Sequence, residues 1–580
     1  MQKRLLGILA SIAVIAAACG GATTSSAPAE STAPGESAAA TPAPPDSNLA
    51  ADQILYVDIS GEPPTLDPSP AQDSNSLTVL RALHRPLVYI NENLEIVPSL
   101  AESWDVSDDA QTLTFHLRDA KYSNGDQIVA GDLVYSFRRL ADPRTAAPYS
   151  YVALEIEGGP ELLGMAGADP APSDADIDAA LDNLGVAAPD DRTFVVTLNT
   201  PATYFLSALS LWVFVPLQES WITSPGATEA ANYVSSGPFV LDTWNHNSEI
   251  ILKPNPNWYG EAPTLAEIHM SMSPEPAQAQ AAYEAGEIDM ILPVPTEDVP
   301  RVKDDPVFGP EYSEVAQLAI TYYNFNNFAD PAKQRYDNPG PTKNKNFRIA
   351  LVESIDKVAF QNATFAGLGI IANTFVMPGI PGYDETIDPY PYNPDSAQEH
   401  MALALSELGL SSAAEIPPLK FGFNTGAGHE PRVAFMAEAW RQAFGLETDQ
   451  IGSDFSVFLT QRTAGDYDIS RNGWGADYPH ANNQLSGLFT CGGGNNDSQY
   501  CNEQFDALLV QAAAEPDQDV QADLYKQAQR LMMDDAPFLP LRFGVTPVLI
   551  KPYVSGLIQT PMDSQVPGEH FYESIQILEH

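Results

Sequence analysis

PSLAESWDVSDDAQTLTFHLRDAKYSNGDQIVAGDLVYSFRRLADP, residues 98–143, carries two different periodicities within a single run. Thr112–Leu117 (TLTFHL) alternates apolar and polar side chains, the period-two pattern of a half-buried strand. Residues 130–140 instead repeat apolar side chains every three or four positions, the period of a helix. The same mixture continues outward in both directions. Strands are expected at Ile54–Ile59, Thr193–Leu198 and Glu249–Leu252, and helices at 76–84, 275–286, 346–360, 394–408, 430–444 and 517–534. Interspersed strands and helices imply an α/β architecture. At 580 residues the chain exceeds what one core can organise, so two or three domains are expected.

Charge narrows the function. The chain has 28 Lys and Arg against 76 Asp and Glu, a net −48, which excludes nucleic acid as a partner because that affinity rests on cations neutralising phosphates. Hydrated carboxylates at this density suit saline surroundings. Residues 167–190 read as an acidic surface excursion in which Ser173 caps a helix start. A calcium loop through Asp174, Asp176 and Asp178 fails because Ala179 stands where that loop requires Gly.

The N-terminus reads as an export signal. Lys3 and Arg4 precede an uncharged, mostly apolar run, Leu5–Ala18, too short to cross a bilayer. Ala16-Ala17-Ala18-Cys19-Gly20 resembles a bacterial lipobox, so residues 1–18 are expected to be a signal peptide and Cys19 a lipidated residue, with ordinary signal cleavage as the alternative. Residues 19–51 are then a flexible tether, and about 30 such residues reach on the order of 30 Å. The folded part is expected outside the cytoplasm, in a periplasm or on the outer face of the membrane. In that oxidising setting Cys491 and Cys501, bracketing CGGGNNDSQYC, read as a disulfide. A zinc site would want further ligands that do not accompany them.

Enzyme signatures are missing. There is no GxSxG, Walker loop or HExxH, and His429-Glu430 runs into Pro-Arg-Val. Gly367-Leu368-Gly369 fits a dinucleotide fingerprint loosely but does not open a helix. A secreted peptidase would need a nucleophile–base pair or an open metal site, and none is evident. The residues by themselves point to extracellular capture or adhesion.

Several phrases in order resemble one family, the extracytoplasmic solute-binding proteins of ABC importers in the peptide and nickel group, family 5. They are GEPPTLDPSPAQDSNS (61–76), the opening stretch at 98–143, SSGPFVLDTW (235–244), KPNPNWYG (253–260), AGEIDM (285–290), FRIALVESIDK (347–357), GWGADYP (473–479) and DDAPFLPL (534–541). RLADPRTAAPYSY (139–151) and GWGADY (473–478) are most similar to the oligopeptide-binding branch. The resemblance implies a two-lobed periplasmic-binding-protein-like α/β fold (type II, cluster C-like) with a hinge and an extra inserted domain. Lobe I would comprise 52–84, 216–318 and 546–580, the inserted domain 85–215, and lobe II 319–545. It also implies a monomer that binds a small peptide and meets permease subunits, with no cofactor and no catalytic step.

The resemblance assigns a ligand-binding set. Asp477 matches the acid that receives the peptide amine, with Tyr149 and the Gly473 backbone as neighbours, and Trp474 walls a side-chain pocket. His429, Arg462 and Arg471 fall where the branch keeps cations for the peptide carboxylate. The alternatives are a helix cap or solvated acid for Asp477, a core role for Trp474, and ordinary salt bridges to Asp466 or Asp468 for the arginines. Gln72 and Asn324 stand where the branch has acids, Phe365 where it has a lysine, and Phe455 replaces a tryptophan. Ser74 and Gly475 complete the set. These departures imply a shifted preference in peptide length or side-chain polarity. Cys491 and Cys501 are similar to the dipeptide branch instead. A dipeptide, nickel chelate, haem, opine or oligosaccharide on the same fold, or a peptide sensor, stays open.

Overall fold

The computed structural model describes residues 48–273, 275–327, 340–425 and 428–580. The signal segment, Cys19 and nearly all of the tether therefore lie outside the described residues. The unit Asn48–His580 is built on an eleven-stranded sheet. In chain order its strands are β1 (Ile54–Asp58), β2 (Phe239–Asn245), β3 (Glu249–Pro254), β4 (Glu267–Ser271), β5 (Met290–Ile291), β6 (Tyr312–Phe325), β7 (Ile370–Ile371), β8 (Leu419–Asn424), β9 (Thr448–Ser453), β10 (Ile469–Gly475) and β11 (Phe538–Ile550). Their spatial order is β9-β8-β10-β6-β11-β5-β1-β4-β3-β2, with β7 beside β11.

Two long strands join the halves of this sheet. β10 pairs with the C-terminal part of β6, Ala319–Phe325, while β5 pairs with the C-terminal end of β11 at Leu549 and Ile550. Between these attachments β6 and β11 run antiparallel as a ribbon. The ribbon is irregular at its middle: Ala316 opposes Val545 but Ile320 opposes Phe543, four steps against two. Such a bulge bends the strand and leaves backbone groups to other partners. Here Leu318 N–H donates to Pro561 O at 3.0 Å, and Leu318 O accepts from Ala476 N–H at 2.8 Å. A Cβ on Gly544 would stand 3.2 Å from Gln317 Cβ and 3.3 Å from Ala319 Cβ, so the close approach at the bulge favours glycine.

Strand alternation sorts the core around β6. Ile320 and Tyr322 enter one apolar cluster with Phe375, Phe489 and Phe538. Tyr323 and Phe325 enter another with Phe421, Trp440 and Leu541, on the opposite face. A separate four-stranded sheet, Ala101–Val106, Thr112–Leu117, Thr193–Thr197 and Val186–Asp190 in spatial order, packs its inner residues Leu113, Phe115, Phe194 and Val196 into a third cluster that also holds Phe137 of the helix Ala130–Ala141. The opening stretch of sequence thus supplies two strands and the helix that covers them.

Two expectations are corrected. Residues 346–360 form no single helix: Lys345–Glu353 ends and Lys357–Phe365 begins, because Asp356 accepts a hydrogen bond from Ala359 N–H and starts a new N-terminus. The acidic excursion 167–190 does contain a helix, Asp174–Asp182, capped by Ser173, but its last residues, Val186–Asp190, are an edge strand on Thr193–Thr197 with Val186 turned inward. Gly367–Gly369 leads into β7 and not into a helix. Among the described residues no helix is long and apolar enough to cross a membrane.

Candidate ligand-binding site

β10 carries the site. One of its edges is paired with β6 throughout, whereas β8 reaches only Ile469 and Ser470. From Arg471 to Gly475 the second edge pairs with no strand among the described residues, so backbone donors and acceptors remain for an added strand. Gly473 and Gly475 are exposed along it.

Just past one end of β10 lies Asp477. Tyr149 Oη donates to its Oδ1 at 3.1 Å, Tyr151 Oη to Oδ2 at 3.1 Å, and Asn483 Nδ2 to Oδ2 at 3.0 Å. No cation among the described residues comes within ion-pair range. The carboxylate is thus oriented by neutral donors. Burial and the Asp477 charge push both tyrosine hydroxyls up, so they stay protonated and donating. Asn483 Oδ1 in turn accepts from Asp477 N–H at 3.0 Å and from Trp474 Nε1 at 3.1 Å, fixing acid and indole together. Trp212 packs edge-on against Tyr149, with ring centroids 4.6 Å apart. A small cavity of about 40 Å³ opens here, lined among others by Arg81, Tyr89, Ile90, Trp212, Met562 and Asp477. Arg81 is occupied by the buried Glu569.

Toward the other end of β10 a second cavity, about 140 Å³, is lined by Phe455, Arg462, Arg471, Gly473, Trp474 and Asp497 among others. Arg462 makes a salt bridge, but to Asp497 (2.8 Å) and not to Asp466 or Asp468. Asp497 sits in the loop closed by the bond between Cys491 and Cys501, so the loop delivers a counter-charge into the cavity wall. Arg471 differs: its Nε donates to Asn424 Oδ1 at 2.6 Å, its guanidinium lies 5.4 Å from the Phe455 ring centroid and 5.2 Å from that of Phe458, and no described carboxylate pairs with it. Burial, then the neighbouring Arg462 and Arg432, pull it down to about 10. His429, at the start of the helix Glu430–Phe444, accepts from Arg432 Nη1 at 3.2 Å. Burial and the charges of Arg471 and Arg432 push it down to about 4, so at neutral pH it is an uncharged acceptor or donor and not a cation.

The remaining expected residues sit farther out. Gln72 and Ser74 are exposed at the N-terminus of the helix Ser74–Leu83, and Gln72 approaches the Asp477 end only through Trp212, whose Nε1 donates to Ala71 O at 3.1 Å. Asn324 is buried in β6 opposite Ser470. None of the three lines either cavity. Trp474 both lines the second cavity and packs against the core. Sequence reading missed Tyr151, Asn483, Trp212, Arg432, Asp497 and Arg542. Tyr151 and Arg432 had a signal, lying two residues after Tyr149 and three after His429 on a helix; the others are joined to the site only by the fold. Among the described residues no group of three or more His, Cys, Asp or Glu could hold a metal ion.

The family described as bacterial extracellular solute-binding proteins, family 5 Middle, matches residues 95–496. The chain is similar to the oligopeptide-binding protein OppA of Bacillus subtilis (strain 168), at 30% identity over 504 residues covering 84% of this chain and 87% of that one. It is also similar to the periplasmic murein peptide-binding protein MppA of Escherichia coli (strain K12), at 30% over 528 residues, 89% and 92% of the two chains. The solved structure of the periplasmic murein tripeptide-binding protein MppA in its unliganded open form superposes with a TM-score of 0.77 at 26% identity, over 92% of this chain and 99% of that one.

Proposed function

The chain belongs to the bacterial extracellular solute-binding proteins of family 5, and from that premise we propose that it captures short peptides and delivers them to the permease of an ABC importer. As a member of this family it is a binding protein and not an enzyme. The peptide lies along the open edge of β10 as an added strand. Its ammonium meets Asp477 and its carboxylate meets Arg471, six residues away along a backbone that rises about 3.3 Å per residue. Closure of two lobes about β6 and β11 then excludes water. Lobe I takes 52–84, 216–318 and 546–580, lobe II takes 319–545, and 85–215 forms the inserted domain; the change of strand partners along β6 and β11 supports this division. Lipid on Cys19 and the tether that follows keep the protein at a membrane face.

One observation carries the reading: the Asp477 carboxylate is held by Tyr149, Tyr151 and Asn483, with no cation of its own among the described residues. Enclosing an ammonium without a paired acid would cost several kcal/mol, and this is an acid held ready for one. The test is calorimetric titration with a pool of tripeptides to pentapeptides, free and N-acetylated, on wild type and Asp477→Ala. Free peptides are expected to lose roughly 3 kcal/mol in the variant, and acetylated peptides to bind both proteins weakly. Equal binding of free and acetylated peptides to wild type would end the amine reading.

A further inference from the structure

Behind Arg471 stands a second group of cations that the peptide carboxylate alone leaves unsatisfied. Gly473, Thr321 and Arg542 oppose one another across β10, β6 and β11. Directly opposed residues share a sheet face, as do residues two apart along a strand, so Arg542 and Arg471 emerge on the same face. On that face the Phe365 ring packs against two guanidinium groups, Arg542 with its central carbon 3.8 Å from the ring centroid and Arg432 at 4.1 Å. Arg432 also donates to His429. Arg542 donates to Leu368 O at 2.6 Å. Neither arginine has a carboxylate within ion-pair range among the described residues, and the Nε of each is buried without a hydrogen-bond partner there. The acid that Arg432 senses is the exposed Glu430.

The cluster is strained electrostatically. Burial and the charge of Arg432 bring Arg542 down to about 10, the same value that burial, Arg462 and Arg432 impose on Arg471. The hydroxyl of the buried Tyr323, within electrostatic range of both Arg432 and Arg471, has no hydrogen-bond partner among the described residues. In a chain of net charge −48, three neighbouring guanidinium groups without acids of their own are a place kept for an anion. One peptide carboxylate supplies a single negative charge.

We propose that Arg432 and Arg542, stacked on Phe365 beside Arg471, form a second anion seat that selects peptides ending in Asp or Glu. The proposal rests on the peptide reading above and adds its substrate class. The terminal carboxylate goes to Arg471 and the side-chain carboxylate to the Arg432–Phe365–Arg542 stack, where planar guanidinium groups hold it in forked hydrogen bonds. Phe365 contributes by packing against both guanidinium groups and leaving them partly desolvated.

The test uses the full chain and three pentapeptides, Ala-Ala-Ala-Ala-Glu, Ala-Ala-Ala-Ala-Gln and Ala-Ala-Ala-Ala-Ala, long enough to run from Asp477 to Arg471, titrated by calorimetry at low and moderate salt. Glu and Gln match in size, so their ratio isolates the charge. The Glu peptide is expected to bind about tenfold tighter than the Gln peptide, the scale of a charge-assisted hydrogen bond, with the ratio shrinking as salt rises. In Arg432→Gln and Arg542→Gln the ratio is expected to fall toward one. Equal binding of the Glu and Gln peptides to wild type overturns the second seat while the peptide reading stands; a ratio unchanged in both variants overturns the assignment to these residues. If none of the three pentapeptides binds, the peptide reading falls and takes this proposal with it. Because the first comparison needs only wild type, a variant that misfolds leaves the decision intact.

Discussion

At one end of β10 a single carboxylate is cradled by neutral hydroxyl and amide donors; at the other, guanidinium groups crowd one another and Arg462 takes Asp497 for itself. Both ends await a charge of opposite sign, yet they prepare for it differently. Asp477 is oriented at almost no electrostatic cost, because its donors carry no net charge and leave it undiminished. Arg471 sits against like charges, which raises the free state in energy and makes an arriving anion relieve repulsion as well as form bonds. The Asp477 end is built for position, the Arg471 end for charge. The former should discriminate on geometry and the latter on ionic strength.

The sharpest way to break the comparison is at Asp477. Asp477→Asn keeps the size and several hydrogen bonds but removes the charge, so free peptides should lose about 3 kcal/mol, as much as in Asp477→Ala; calorimetry that finds less than tenfold weakening would mean that shape, not charge, holds the amine. Next is Asp497→Asn, which deprives the part-buried Arg462 of its counter-charge and should cost about 3 kcal/mol of folding stability, visible as a lower urea midpoint. Arg471→Gln should weaken free peptides by about 2 kcal/mol while leaving C-terminally amidated peptides nearly unaffected, a contrast that titration of both peptide forms reads directly.

The smallest expected effect is a proton. His429 is held down to about 4 by burial, Arg471 and Arg432, against Glu430. A carboxylate arriving beside it favours the protonated ring, so binding near pH 5 should take up part of a proton and affinity should rise as pH falls from 7 toward 5. Titrations in buffers of different ionisation enthalpy measure that uptake, and His429→Gln should abolish it. Stability runs the other way. His84, His480 and His570 are buried, with values pushed down to about 3, 4 and 4. Each contributes stability that is whole above the unfolded value near 6.5 and is lost as pH falls toward the folded one.

How far the sequence could be read follows the same divide. Asp477 and Trp474 lie in a single phrase, GWGADY, and Arg471 two residues before it, so one short run carries all three along with the strand that presents them. Tyr149 and Tyr151 reach Asp477 from more than 300 positions away; the first was legible by resemblance, and the second follows once both tyrosines are seen to lie on the same short 3-10 turn, Pro148–Glu155. Arg542 and Phe365 had no local sign at all, since what unites them is a face of a sheet whose strands come from distant parts of the chain. The strand at Val186–Asp190 was hidden for a different reason. Its acidic, proline-bearing composition is that of an edge strand, where ladder bonds on one side suffice and propensity is weak.

The position of β11 bears on how the molecule is made. It lies between β6 and β5 in the middle of the sheet, yet it is drawn from residues 538–550. Until that stretch leaves the ribosome, the partial sheet built from earlier residues ends in two raw edges, one on each side of an unfilled gap. Non-local closure of this kind is slow, and unpaired edges invite pairing with other chains. A chain cut before Phe538 would not fold as two independent halves but would aggregate through those edges, and a holding factor during synthesis or export would act on this interval above all others.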